Sequence, residues 1–187
     1  MFEKLEKKAR QNKRFATLLK KLKEEGLTEV ETLELENLLK SWGLFSSLQG
    51  LSFQSKVSKI KPSVKMVQRS TFESIEATNE IASNIIQKKP SNILYQVILV
   101  SIGKQLFTNG QKVFAEEAGL KRKMWIRTRN AKTEERAHSS LEGKIIPRDA
   151  LFTLPDGSKV YAPHDWKNAR NPAKEFINCG HAIIYLP

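Results

Sequence analysis

The sequence predicts an α+β protein, with a helical N-terminal portion followed by a small C-terminal α+β module that contains a β-hairpin. Three observations lead there. Apolar residues recur at i, i+3, i+4 and i+7 along the first part of the chain, the period of an amphipathic helix. From Gly119 onwards the pattern changes to a period of two, as in a strand. Within that last third, Pro155-Asp156-Gly157 separates two short β-prone runs and supplies the chemistry of a tight turn.

Residues 1–42 read as a basic helical arm of two helices. Phe15, Leu18, Leu19 and Leu22 give roughly residues 3–25 one apolar face, and the rest of that surface is Lys-rich. Gly26 is a stop, and Thr28 with Glu31 forms a T-x-x-E capping box that starts the second helix. Val30, Leu35, Leu38, Leu39 and Trp42 supply its apolar side. The two helices are suited either to pair as a hairpin or to dock on a partner. Residues 43–61, rich in Ser and Gly, read as a linker.

A helical middle follows over residues 62–118. Pro62 suits a first helical turn, and Val64, Val67, Thr71, Ile75, Ile81 and Ile85 carry the helix to about Gln87, before Pro90 ends it. A further helix is expected from Asn92 to Ala118, with Leu94, Ile98, Ile102 and Leu106 on one stripe and Gly103 and Gly110 as points of weakness.

Residues 119–187 form the α+β module. In the strand from Lys121 to Arg129, alternation puts Lys123, Trp125, Arg127 and Arg129 on one face and Met124, Ile126 and Thr128 on the other. A short helix capped by Thr133, with Glu134 and Glu135 at its positive end, closes before Gly143. The hairpin of residues 151–161 and a final strand over 181–185 complete the module.

Charge narrows the function classes. The 187 residues carry 32 Lys and Arg against 20 Asp and Glu, a net +12, which favours a polyanionic partner. Residues 1–70 hold +7, residues 71–120 hold −1 and residues 121–187 hold +6, so two basic ends flank a neutral middle. One Cys excludes an internal disulfide and a Cys-only zinc site. No apolar stretch is long enough to span a bilayer and no secretory signal is visible, so a soluble intracellular protein without a membrane partner is expected.

The candidate nucleic-acid-binding set is Lys121, Arg122, Lys123, Trp125, Arg127 and Arg129, cations for phosphates beside a ring that can stack on a base. The alternative is that Trp125 belongs to the core and its neighbours are solvated. His138, His164, His181 and Cys179 fall within 44 residues and raise three further readings. His138, Cys179 and His181 are of zinc-ligand type, but they lack a knuckle spacing, so no metal or other cofactor is expected. The plainer assignment is a buried Cys, a hydrogen-bonded His and a surface His. Cys179 with a His and Asp165 would make a nucleophilic site, though no hydrolase signature surrounds it. His138 with Arg136, and perhaps His181, would make a nuclease or toxin-like enzyme, metal-dependent or metal-free.

From about residue 105 the chain resembles the phage Mu F-like minor head proteins, the phage head morphogenesis family. The resemblance runs through Gln105-Leu-Phe-Thr-Asn-Gly110, Ala115-Glu-Glu-Ala-Gly119 and Lys123-Met-Trp125. It continues through Arg136 and His138, Leu141 and Gly143, Phe152 with Gly157, Pro163 and Asp165, and Asn178 with Cys179. The ordered set covers some 80 residues. Where the family often closes Asn-Cys-Arg-Cys, this chain has Asn178-Cys179-Gly180-His181, which retains a ligand type at the last position but no disulfide partner. The resemblance implies a non-enzymatic virion protein, made in the host cytoplasm and lying inside the capsid beside the portal. Its implied work is head morphogenesis and DNA packaging or delivery, with the portal or major capsid protein and packaged double-stranded DNA as partners. In that setting His138 takes a structural role, bonded to Asp165 or to the Asn178 turn.

Overall fold

The computed structural model describes residues 5, 7–9, 12–88, 95–128, 137–176 and 179–187. Its helices are α1 (Lys13–Glu24), α2 (Glu29–Ser58), α3 (Val64–Lys88) and α4 (Tyr95–Glu117), followed by strand β1 (Arg122–Arg127). A 3-10 turn (Ala137–Leu141), β2 (Ile145–Pro147), β3 (Phe152–Thr153), β4 (Lys159–Val160), the short helix α5 (Pro172–Phe176) and β5 (His181–Leu186) complete the α+β fold.

The arm expected as one helix over 3–25 is interrupted at Asn12. Its side-chain oxygen accepts the Phe15 N–H at 3.0 Å and so starts α1 afresh. The expected face is correct: Phe15, Leu18, Leu19 and Leu22 are all buried. The capping box at Thr28 and Glu31 is formed, and Lys21 and Thr28 together hold the Glu31 carboxyl down to about 2. Arg14 reaches Glu34 at 2.5 Å and Lys21 reaches Glu31 at 2.7 Å, so α1 folds back on α2 as a hairpin.

Residues 43–58 are not a linker. They continue α2 without a break, and the small residues that suggested irregularity are a packing surface. Gly50 of α2 lies against the Phe107 backbone of α4, and Gly110 of α4 lies against the Ser47 backbone of α2. Gly43 and Gly103 repeat the notch one heptad earlier on each helix, against Thr78 and Trp42. α4 runs unbroken through Gly103 and Gly110, and each admits a neighbouring helix or ring at a distance that any side chain would forbid.

The same close packing changes the face expected of the N-terminal half of α3, whereas Ile81 and Ile85 pack against the core as expected. Met66, Ser70, Ser74, Thr78 and Ala82 turn inward, with Ser70 bonded to Ser47 at 2.8 Å, while Val64, Val67, Phe72 and Ile75 are exposed. A helix that approaches Gly43 and Ser47 this closely must present small residues, so the bulkier apolar stripe is left outside. Arg69 ties the N-terminal half of α3 to Glu73 and to Glu116 and Glu117 of α4.

In the module, β1 is the central strand of an antiparallel sheet ordered β2-β1-β5, with Met124 opposite Ile145 and Trp125 opposite Ile183. β3 and β4 form the expected hairpin, its turn held by the Ser158 N–H donating to Asp156 at 2.8 Å and by Gly157 at φ 81°. The outer edge of β5 faces the helices, where side chains take the place of a missing strand. Gln54 Nε2 donates to Tyr185 O at 2.9 Å and the Tyr185 N–H donates back to Gln54 Oε1 at 3.0 Å. Gln111 Nε2 donates to Ile183 O at 2.9 Å and Lys104 Nζ to Cys179 O at 3.0 Å. These three polar residues satisfy an edge that would otherwise be buried with unpaired backbone groups. Among the described residues, no helix is long and apolar enough to cross a membrane.

Candidate functional site

The residues singled out in the module gather around the closing strand. β1 contributes Trp125, the 3-10 turn contributes His138 and Leu141, the hairpin contributes Phe152, and the entry to β5 contributes Cys179 and His181. Trp125 is completely buried, edge-on to Phe152 at 5.0 Å and to His138 at 5.8 Å between ring centroids. Pro163 is buried, Gly143 follows the 3-10 turn at φ 78°, and Asp165 accepts the Tyr161 N–H at 2.8 Å to close its own loop.

This placement corrects the candidate nucleic-acid set. The face carrying Lys123 and Trp125 points into the core, so neither a phosphate nor a base reaches them. Lys121, Arg122 and Arg127 remain exposed, with Arg122 donating to Pro187 O and Arg127 lying 3.9 Å from Glu142. Arg129, Arg136 and Asn178, like the expected cap at Thr133, lie outside the described residues.

Lys123 is an unusual core residue. Its Nζ lies 3.2 Å from the Tyr161 ring centroid and donates to Tyr161 O at 2.8 Å. Burial pulls its ammonium down to about 7, against an ordinary 10.5, with Asp149 and Asp165 partly opposing the shift and Lys112 adding to it. Between those two pH values the unfolded chain binds more protons than the folded one, so stability must rise with pH across that window. The melting temperature is therefore expected to increase from pH 6.5 to pH 9, and Lys123→Met to flatten that increase. The lost bond to Tyr161 O affects both ends of the range alike and leaves the slope as the readout. Tyr161, pushed up to about 12 by burial, leaves this range undisturbed. An equal slope in both proteins would refute the assignment.

The three His side chains are all buried, so the expected surface His does not exist. Burial holds both His164 and His181 below the ordinary imidazole range. His164 occupies the left-handed backbone region at φ 68° and lies against Phe176. The other two converge with the sulfur. His138 Nε2 is 3.1 Å from His181 Nδ1 and 3.3 Å from Cys179 Sγ, and Sγ is 3.5 Å from His181 Nδ1. The expected partner Asp165 does not touch His138; instead its Nδ1 meets Glu175 Oε2 at 2.8 Å. His181 Nε2 meets Glu142 Oε1 at 2.8 Å.

The strand and the turn explain the convergence. Cys179 and His181 are two residues apart in extended chain and share a side. The His181 N–H, at 3.4 Å, donates to Sγ and fixes the corner between them. β1 then holds the 3-10 turn against β5 through the Gly143 N–H, which donates to Trp125 O at 2.8 Å. Lys104 on α4 anchors the Cys179 carbonyl from the helical side.

Glu142, Glu175 and Lys104 were not among the sequence candidates. Lys104 had a signal, a charge between Ile102 and Leu106 on an otherwise apolar helix, which demands a buried acceptor. The two glutamates had none, since only folding brings them to the ring nitrogens.

The arrangement offers one thiol and two imidazoles, all buried, each imidazole bonded to a carboxylate. Cys179 and His138 are completely enclosed. Comparison with protein-family models, curated proteins and solved structures finds no match.

Proposed function

We propose that the chain is a structural, non-enzymatic minor head protein of a phage particle, portal-associated within the capsid. The observation that carries this reading is the convergence of the motif positions. Trp125, His138, Leu141, Phe152 and Cys179 are spread over 55 positions from first to last, yet they pack into one buried cluster around β5. An ordered motif series whose members form a core is the behaviour of a folding module, which suits the structural role that the family resemblance implies. The exposed stripe of Val64, Val67, Phe72 and Ile75 on α3 supports docking of the helical portion on a portal or shell protein.

Contact with packaged DNA is the second clause, and it rests on charge alone. Lys121, Arg122, Arg127 and Lys144 are exposed on the module, and Lys7, Lys8, Lys13, Lys20 and Lys23 are exposed on the arm. Phosphate neutralisation by such residues gives sequence-independent binding that weakens with salt. Mass spectrometry of purified particles is expected to find the protein, and its absence would remove the virion clause. Purified protein is expected to bind duplex DNA with an affinity that falls about tenfold or more between 50 and 200 mM salt. Substituting Lys121→Glu and Arg122→Glu together should lower both the affinity and the salt slope. Binding indifferent to salt would refute the DNA clause. Plasmid incubated with the protein should stay intact, and cleavage lost in His138→Ala would replace the whole reading with an enzymatic one.

A further inference from the structure

We infer that His138, Cys179 and His181 form a structural zinc site, which closes the C-terminal module by joining the 3-10 turn to β5. The first support is metric. Zinc binds imidazole nitrogen at about 2.0–2.1 Å and thiolate sulfur at about 2.3 Å in a tetrahedron, so two nitrogens sit about 3.3 Å apart and nitrogen and sulfur about 3.6 Å apart. The three edges of the triangle here are 3.1 Å between nitrogens, and 3.3 and 3.5 Å from nitrogen to sulfur. These edges match a zinc-centred face to within about 0.3 Å.

The second support is the proton inventory. Glu175 accepts from His138 Nδ1 and Glu142 accepts from His181 Nε2, which sets both tautomers and leaves a lone pair on His138 Nε2 and on His181 Nδ1. Those two nitrogens lie 3.1 Å apart. Two acceptors at that distance repel unless a proton or a metal cation is shared between them. The Cys179 thiol carries one proton and can donate to only one of the two nitrogens. A single cation bound by all three atoms resolves the conflict, and the thiol then enters as thiolate, its proton released to solvent. The paired carboxylates are the arrangement that orients metal-binding imidazoles and raises their basicity.

The third support is ligand type. Two imidazoles and a thiolate suit zinc better than the harder magnesium or calcium. Three protein donors fill three of the four tetrahedral positions. The sequence spacing obscured the site because only two of its ligands are neighbours; the third arrives through the 3-10 turn, about 40 residues earlier.

The test uses the full chain purified without a metal-affinity tag. Elemental analysis is expected to return about one zinc per chain, and removing it by chelation to lower the melting temperature by about 10 °C, recovered on adding zinc. Replacement by cobalt should give a thiolate-to-cobalt charge-transfer band. His181→Cys, which keeps a zinc ligand at the same position, should retain the metal, whereas Cys179→Ser and His181→Ala should hold less than a tenth as much. Folded wild-type protein that carries no zinc and whose melting temperature is unmoved by added zinc would overturn the inference. So would folded Cys179→Ser and His181→Ala proteins that keep their zinc in full. The wild-type measurements decide the matter even where a variant fails to fold.

Discussion

Gly50→Ala is expected to destabilise the protein by about 3 kcal/mol, lowering the melting temperature by roughly 6–12 °C. In an exposed helix the same change would stabilise by up to about 1 kcal/mol, because alanine has the better helix propensity. Here the new methyl would fall 1.9 Å from Phe107 O, a backbone atom that cannot turn aside. The most extensive contact of the helical layer, α2 against α4, would have to separate along its length. Gly110→Ala meets Ser47 O at the same distance and should behave alike. Gly43→Ala is the graded comparison: its methyl meets the Thr78 side chain, which has other rotamers, so the cost should be smaller. Thermal melts of the three variants check the order. A Gly50→Ala protein as stable as wild type would mean that α2 and α4 do not pack at this distance.

The second large effect concerns Gln54. Gln54→Leu keeps most of the volume but leaves the buried N–H and C=O of Tyr185 without their partner, at about 1–3 kcal/mol for each group. A total loss of about 2–5 kcal/mol is expected. Gln111→Leu strips the Ile183 carbonyl of its donor and removes a longer bond, 3.4 Å, to Gln54 Oε1, whose other partner, the Tyr185 N–H, remains, so it should cost less. Amide hydrogen exchange gives a local readout that a general loss of packing would not reproduce. The Tyr185 amide should exchange faster in Gln54→Leu than in Gln111→Leu when both are compared at matched stability. Unchanged protection at Tyr185 would show that Gln54 does not close the edge of β5.

Much of the local structure was legible in the residues. The arm face of Phe15, Leu18, Leu19 and Leu22, the capping box of Thr28 and Glu31, and the hairpin around Asp156 and Gly157 all follow from patterns within a few positions. Short-range patterns of this kind are settled by periodicity and by turn or cap chemistry, which the sequence displays directly. The misreadings share a different origin. Gly and Ser over residues 43–58 signal a linker when the chain is read alone, yet they signal close helix packing once α4 lies alongside. The alternating face of Lys123 and Trp125 was correctly drawn, but whether it met solvent or core depended on Phe152 and Tyr161 arriving from elsewhere.

The candidate site followed the same division. Its three potential ligands were visible as residue types clustered late in the chain, while their spacing counted against them. What brought them within 3.1–3.5 Å was the pairing of β1 with β5 and the Gly143 bond that holds the 3-10 turn to Trp125. The carboxylates that set the tautomers, Glu142 and Glu175, carry no sequence mark at all, because a hydrogen bond between distant residues has no period.

By itself the sequence determined the α+β class, the capping-box start of α2, the hairpin and the separation of charge into two basic ends. The tertiary structure alone decided which faces are buried, which glycines are packing notches, and that one thiol and two imidazoles share a point in space. The physical reason is range: propensity, capping and turn chemistry act over a few residues, whereas burial and ligand convergence depend on which distant surfaces meet.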